Sequence, residues 1–430
     1  MTLSPTAFTE PRTARLKQLQ ALGVLCGFAA GAWLGAAEAP TKLVRAGISP
    51  VLISLVMVVG VFLARWSVPA LLRGTSQVYA DAQQAPHLIV WAILAGCLWA
   101  VANTLTIFAI RDIGLSIAFP LWNMNSLLGI LWGFLFFHEL RSAGWRRWLG
   151  VLGGALLMFV GAFLLALASS TQAPAGRALH GIIAALSAGV LWGTMYIPYR
   201  KAYLTGMNPL SFVAFFTIGE LGMMLALAFF SSGGLVSLWQ ELITARPALF
   251  WLAAGGFIWV IGDLFQQYAA KYVGISRGIP LSNTNQLWGL LWGVFVFGEL
   301  HGRSPSLYAQ VVGGSLIMAA GAAAIAFSSA PPKEHEQWQA AALRESERYG
   351  TNPDYVRAGL EGRGHSLSSK RTALDWTMLV VATLTFLALA LLARPPLVPF
   401  DLRAAAVLLS IIVLILTVSV VALWRTTKFN

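Results

Sequence analysis

The sequence predicts an all-α polytopic membrane protein, with a ten-helix inverted-repeat (5+5) core followed by a two-helix hairpin. Three observations predict it. Apolar residues make up 57% of the 430-residue chain and charged residues only 11%, where a soluble chain carries about 25% charged residues. Apolar stretches recur along the chain at the length of about 20 residues needed to cross a hydrocarbon core of ~30 Å. Finally, Gly114–Leu140 recurs as Gly274–Leu300 with about half of its positions identical, and an internal repeat governs the reading of everything around it.

Residues 1–19 form a basic tail with Arg12, Arg15 and Lys17. The first apolar stretch has no convincing small-residue cleavage site and reads as a spanning helix, not a signal peptide. Helices are expected near 20–39, 48–66, 87–110, 114–137 and 145–168, then 180–199, 209–230, 248–271, 275–297 and 306–327. The repeat extends across them. Trp91/Trp251, Gly96/Gly256, Trp99/Trp259, Asn103/Asp263, Gly154/Gly314 and Gly161/Gly321 all keep an offset of 160. Gly31/Gly189, Gly35/Gly193 and Pro40/Pro198 match at a slightly shorter one. Residues 20–168 and 180–327 are therefore read as two five-helix repeats. Five is odd, so the second copy enters the membrane from the opposite side, a plan shared by many secondary transporters. The polar stretch 328–373 is expected to carry a surface helix at 334–349 and a mobile remainder. Residues 374–424 hold two more helices, 375–393 and 403–424, read as a hairpin outside the core.

Basic residues set the orientation. With the N-terminus inside, twenty-one of the 29 Lys and Arg fall in cytoplasmic segments, Arg65, Arg200, Lys271 and Arg277 among them. The positive-inside rule then puts both termini in the cytoplasm. The net charge of +12 belongs to these loops and to anionic headgroups, and no nucleic acid is expected as a partner. Cys26 and Cys97 lie in apolar helices and read as free buried thiols.

The candidate site residues are the polar groups at membrane depth. Pro120 and Pro280 mark breaks in the repeated helices; the carbonyls freed by a proline need new partners in lipid, which favours a cavity there. Beside the breaks lie Asn123 and Asn125, and Ser282, Asn283, Asn285 and Gln286, suited to hydrogen-bonding a polyhydroxylated solute. The same amides can bond between helices with no ligand present. Trp132 and Trp292 offer ring faces to a sugar, or simply pack. Asp263 and Glu220 sit mid-helix and Glu38 near a helix end. A charge at bilayer depth is costly and marks proton relays, so these three are candidates for proton coupling, with Asp263 leading. Asn103 is its repeat counterpart, and Gln267 lies one turn on. The alternatives for Asp263 are a carboxyl kept neutral or a structural pair with a base from another helix. Glu139 and Glu299, at helix ends, are expected to hold a loop or to pair with Arg141, Arg146 or Arg303. No Walker sequence, metal-spaced His cluster or G-x-S-x-G motif occurs. Neither a cofactor, a metal nor an enzymatic activity is expected, and uphill movement would draw on an ion gradient.

With Gly256, Trp259, Gly262, Asp263, Gly274, Ser276, Pro280, Gly289, Gly293 and Glu299 in one half, and Gly96, Trp99, Asn103, Gly114, Ser116, Pro120, Gly129, Gly133 and Glu139 in the other, the chain resembles the drug/metabolite transporter superfamily. Within it, the chain is most similar to the glucose/ribose porters, a family of bacterial sugar uptake permeases. The resemblance covers helices 1 to 10. It implies a secondary active transporter of a small polar solute, a sugar, working by alternating access with a proton as coupling ion, in a bacterial inner membrane. It also implies a central cavity among helices 1, 3, 4, 6, 8 and 9. Three features depart from the family pattern: Asp263 where an amide is expected, the Asn-x-Asn pair, and helices 11 and 12. Two other readings stay open: an exporter of metabolites, drugs or nitrogen compounds such as ureides on the same fold, and a membrane receptor or scaffold. The oligomeric state is open as well.

Overall fold

The computed structural model describes residues 10–37, 39, 48–113, 118, 121–141, 144–168, 178–298, 301–302, 304–328, 332–363, 371–394 and 399–430. Glu38, Pro120 and Glu299 lie outside the described residues. Helices account for the architecture, and no strand occurs among the described residues. Ten helices among them are long and apolar enough to cross a membrane, as backbone without water must bond within its own segment. The protein is an integral, multi-pass membrane protein.

The first half comprises α1 (Glu10–Ala36), α2 (Pro50–Leu72), α3 (Thr75–Gln84), α4 (His87–Ile113) and α5 (Asn125–Phe137). It ends with α6, which runs from Trp145–Trp148 through a π turn at Leu149–Gly153 into Gly154–Ala168. The second half comprises α7 (Ala178–Leu204), α8 (Pro209–Ser231), α9 (Leu235–Ala245), α10 (Leu249–Val273), α11 (Ile275–Ser282), α12 (Asn285–Leu291) with a π turn at Trp292–Val296, and α13 (Pro305–Phe327). Then come α14 (Pro332–Tyr349), α15 (Pro353–Leu360), α16 (Ala373–Leu392) and α17 (Leu402–Thr427). Starts follow capping rules. Ser49, Asn208 and Ser304 each cap a helix whose first residue is proline.

The packing of one half has its counterpart in the other. α1 packs on α10 as α7 packs on α4, and α4 meets α8 as α10 meets α2. α5 lies on α7 as α12 lies on α1, while α2 meets α8 and α6 meets α13 across the same relation. Glycines set the closest approaches. A Cβ on Gly96 would overlap the carbonyl oxygen of Phe216, and one on Gly219 that of Ile93. The equivalent pair repeats this: Gly256 meets Met57 O and Gly60 meets Ala253 O. Small residues let membrane helices approach to backbone contact.

The break expected in the helix over 275–297 comes as a turn at Asn283–Thr284, with Pro280 inside the helical segment before it. Two elements differ from the sequence expectation. α2 runs on to Leu72 instead of ending near 66, which carries Arg65 inside the span. Residues 353–360, expected in a mobile loop, form α15 with Tyr355 and Val356 buried. α16 packs on α2 and α10, and α17 on α1 and the π turn at Trp292–Val296.

Candidate functional site

The two copies of the repeated motif meet head to head. α5 runs alongside α11 in the opposite sense: its start faces Asn283, and its end at Gly133 faces Ser276. Where they meet, Asn283 Nδ2 donates to Asn125 Oδ1 at 3.3 Å and to Ser126 Oγ. Ser126 Oγ donates to Asn125 Oδ1 at 3.4 Å. Asn123, Ser126, Pro280, Asn283 and Gln286 line a cavity of about 10 Å³, about the space of one water. Ser282 Oγ accepts from Gln266 and donates to the Ile279 carbonyl.

A column of tyrosines leads away from this cluster along α7. Tyr196, Tyr199 and Tyr203 lie three and four residues apart, on one helix face, and all three are buried. Asn125 Nδ2 donates to Tyr196 Oη at 3.4 Å. The Tyr196 and Tyr199 ring centroids are 6.0 Å apart, and those of Tyr199 and Tyr203 6.4 Å. Tyr203 Oη donates to Gln267 Oε1, and Gln267 Nε2 donates to Asp263 Oδ1 at 2.8 Å.

Asp263 in turn belongs to a buried ionic triad. Arg65 from α2 donates to Asp263 Oδ2 at 2.7 Å and to Glu220 Oε2 at 2.8 Å, and all three side chains are 0% exposed. The guanidinium carbon lies 4.3 Å from the Phe216 ring centre and 5.4 Å from that of Trp259. A planar fork can bridge two carboxylates where an ammonium makes a point contact. Asn103, the repeat counterpart of Asp263, donates to Ser54 Oγ at 2.6 Å. One half thus carries the charge and the other a neutral hydrogen bond.

Several polar atoms along this route have no hydrogen-bond partner among the described residues: Asn123 Nδ2, Asn285 Oδ1, Tyr199 Oη, Arg65 Nε, and the indole nitrogens of Trp132 and Trp292. Buried polar atoms are nearly always paired, so these remain open to a further hydrogen bond. Trp292 is buried and opens the π turn, whereas Trp132 is half-buried against Phe136.

The glutamate that ends the motif holds a different joint. Glu139 is fully buried, pairs with Arg200 Nε at 2.8 Å and accepts from the backbone N–H groups of Ile275 and Ser276 at 3.2 and 2.9 Å. It caps α11 where Gly274 turns with φ +84°. Of the two expected roles, holding a loop or pairing with a nearby base, it serves both, but its base among the described residues is Arg200, not Arg141 or Arg146; Arg303 lies outside the described residues. Arg200 also donates to the Ala270 and Lys271 carbonyls.

The structure joins the amides and Asp263 to Arg65, Ser126 and the tyrosine column, none of which the sequence singles out. Arg65 sits near the expected end of a helix and reads, with Arg200, Lys271 and Arg277, as a cytoplasmic charge. The structure buries all four. The tyrosines carried a signal, their shared helix face, but in apolar sequence aromatic residues read as packing.

The family described as "Sugar transport protein" matches residues 47–174 and 179–345. A Listeria innocua protein named "Putative sugar uptake protein" is 26% identical over 235 residues, which is 54% of this chain and 76% of that one. The similarly named Listeria monocytogenes protein gives the same figures. The glucose uptake protein GlcU of Staphylococcus xylosus is 25% identical over 215 residues, 49% of this chain and 69% of its own. The two matched segments fall one on each half of the helical core and together span more than half of the sequence. The chain belongs to the Sugar transport protein family.

Proposed function

We propose that the protein is a secondary active carrier of a small polar solute, a sugar, working by alternating access of its two five-helix halves with a proton as coupling ion. The single observation that carries this reading is the buried polar route from the central amides, through the tyrosines of α7, to the Arg65–Glu220–Asp263 triad. The reciprocal packing of the halves supports an inverted repeat, in which solute binds at the repeat interface near the midplane. The names of the relatives support a sugar as the solute.

In this mechanism Asn123, Asn125, Ser282, Asn283, Asn285 and Gln286 hydrogen-bond the solute hydroxyls, with Asn103 and Gln267 deeper along the route and Trp132 and Trp292 as ring surfaces. Bonds between polar side chains of membrane helices average only about 0.6 kcal/mol, with a maximum near 1.7. A solute with several hydroxyls can therefore replace the Asn283–Asn125 and Asn283–Ser126 bonds. The cavity beside these amides, about 10 Å³, is too small for a sugar, so entry requires the halves to part. The triad sets two carboxylates against one guanidinium. One proton shared by Glu220 and Asp263 brings it to zero net charge, which eases its passage through a low-dielectric state. Both termini lie in the cytoplasm, and the membrane is a bacterial inner membrane.

The test is counterflow of labelled glucose in proteoliposomes at acid and neutral pH, with wild type and Asp263→Asn side by side. The expected result is glucose exchange in both proteins, with proton-driven accumulation in the wild type alone. Ureide or drug exchange with glucose silent would overturn the sugar reading, and accumulation by Asp263→Asn would remove the proton role.

A further inference from the structure

Beyond the triad, on the membrane face where α2 stops and α8 begins, the core meets residues 428–430. α17 finishes at Thr427, and the next two residues, Lys428 and Phe429, take left-handed backbone angles, φ +52° and +61°. Two non-glycine residues in that region are strained, and their effect is to turn the chain back into the protein. Phe429 is 5% exposed and Asn430 9%. The core receives them with donors from three elements. Asn208, the N-cap of α8, donates to the Phe429 carbonyl at 2.6 Å, and Tyr268 Oη of α10 donates to the same oxygen at 2.9 Å. Arg73, just past α2, donates to it at 3.1 Å and also to the Asn430 side chain. Tyr272 Oη donates to the Asn430 carbonyl.

These receiving groups sit on the helices that hold the triad. Tyr268 is five residues beyond Asp263 and Arg73 eight beyond Arg65, roughly 7.5 and 12 Å of helix rise. A second layer clasps the turn from outside. In α15, Tyr355 Oη donates to Asp81 Oδ1 at 2.9 Å, while Ser211 of α8 donates to Asp81 Oδ2 at 2.6 Å. Arg15 of α1 donates to the Thr426 carbonyl at 2.7 Å.

We propose that residues 428–430 are a plug that holds the carrier shut on this face, and that the plug must leave its seat among Arg73, Asn208, Tyr268 and Tyr272 before the halves can part there. The proposal rests on the alternating-access reading above. It follows from the hydrogen bonds themselves: the plug ties α2, α8 and α10 together on this face, so these helices cannot separate while it is seated. It gives α16 and α17, which lie outside the repeat, the task of carrying the plug.

The test uses the full chain with Cys97→Ala, which leaves Cys26 as its one thiol. Cys26 is fully buried in α1 and lies near Tyr268 and Tyr272, beneath the plug. Its labelling by a membrane-impermeant maleimide is followed in vesicles that expose this face. Deletion of 428–430 is expected to raise the labelling rate roughly tenfold, the change produced when an open state goes from about a tenth of molecules to most of them. Tyr268→Phe with Tyr272→Phe keeps both rings, removes two donors and is expected to give a smaller rise in the same direction; it decides the matter if the deletion variant does not fold. Unchanged labelling in folded variants overturns the plug. Because the thiol readout needs no sugar, glucose counterflow measured alongside separates the two claims. Faster labelling with no counterflow upholds the plug and sinks the sugar reading, and counterflow with unchanged labelling does the reverse.

Discussion

Arg65 is the residue on which the candidate site turns. It joins Glu220 and Asp263 from three different helices, with none of the three side chains exposed. Removing one partner of a buried ionic cluster leaves uncompensated charge and costs about 3–5 kcal/mol. Arg65→Leu is therefore expected to lower the thermal unfolding midpoint in detergent markedly and to abolish counterflow. Arg65→Lys keeps the charge but loses the fork, so it should retain much of the stability and lose most of the transport rate. A neutral effect of Arg65→Leu on both measurements would show that the triad is not structural. The acid was legible in the sequence because a carboxylate in an apolar helix stands out. Its partner was not, because a base near the end of an apolar stretch looks like a loop charge, and only the extension of α2 past that point buries it. Gln267 could be placed one turn from Asp263 by periodicity, but its bond to Tyr203 depends on how α7 meets α10.

At the scale of elements, glycines decide how closely helices cross, and they do not all matter. Gly219 faces the Ile93 carbonyl with no room for a methyl group, whereas a Cβ on Gly313 meets nothing within 4 Å. Gly219→Ala is expected to force α8 off α4, at the roughly 1–3 kcal/mol typical of overpacking. Gly313→Ala should be neutral or stabilising by up to ~1 kcal/mol, the difference in helix propensity. Thermal unfolding of the two variants checks both. Identity between the halves, as at Gly96 and Gly256, does not say what lies opposite a glycine. The breaks in the repeated helices were legible from Pro280 and the polar run behind it. That Asn283 reaches the other motif was not, because head-to-head placement is a property of the assembled halves. Asn283→Ala should destabilise by no more than about 1.7 kcal/mol yet sharply reduce solute affinity, which titration of glucose against the thermal midpoint would reveal.

The whole molecule is two matching sets of helices whose surroundings do not match. On one face α14, α15 and residues 427–430 cover the ends of α1, α2, α7, α8 and α10; on the other, α9 leaves Leu235, Val236 and Trp239 exposed. The twofold plan could be read from the 160-residue offset alone, but this one-sided cover could not, because its residues have no partner in the repeat. Cysteines placed at 76 and 236, equivalent exposed positions of the two halves at the 160-residue offset, should label from opposite sides of sealed vesicles, and labelling of both from one side would contradict the inverted plan. The two motif tryptophans have an optical consequence. Trp132 and Trp292 hold indole N–H groups with no partner among the described residues, and indole emission in apolar surroundings is blue-shifted and sensitive to any new polar neighbour. A hydroxylated solute arriving there should shift the emission to longer wavelength. The shift should vanish in Trp132→Phe/Trp292→Phe despite the fifteen tryptophans that remain of seventeen, which would make the protein's own fluorescence a binding assay that needs no label.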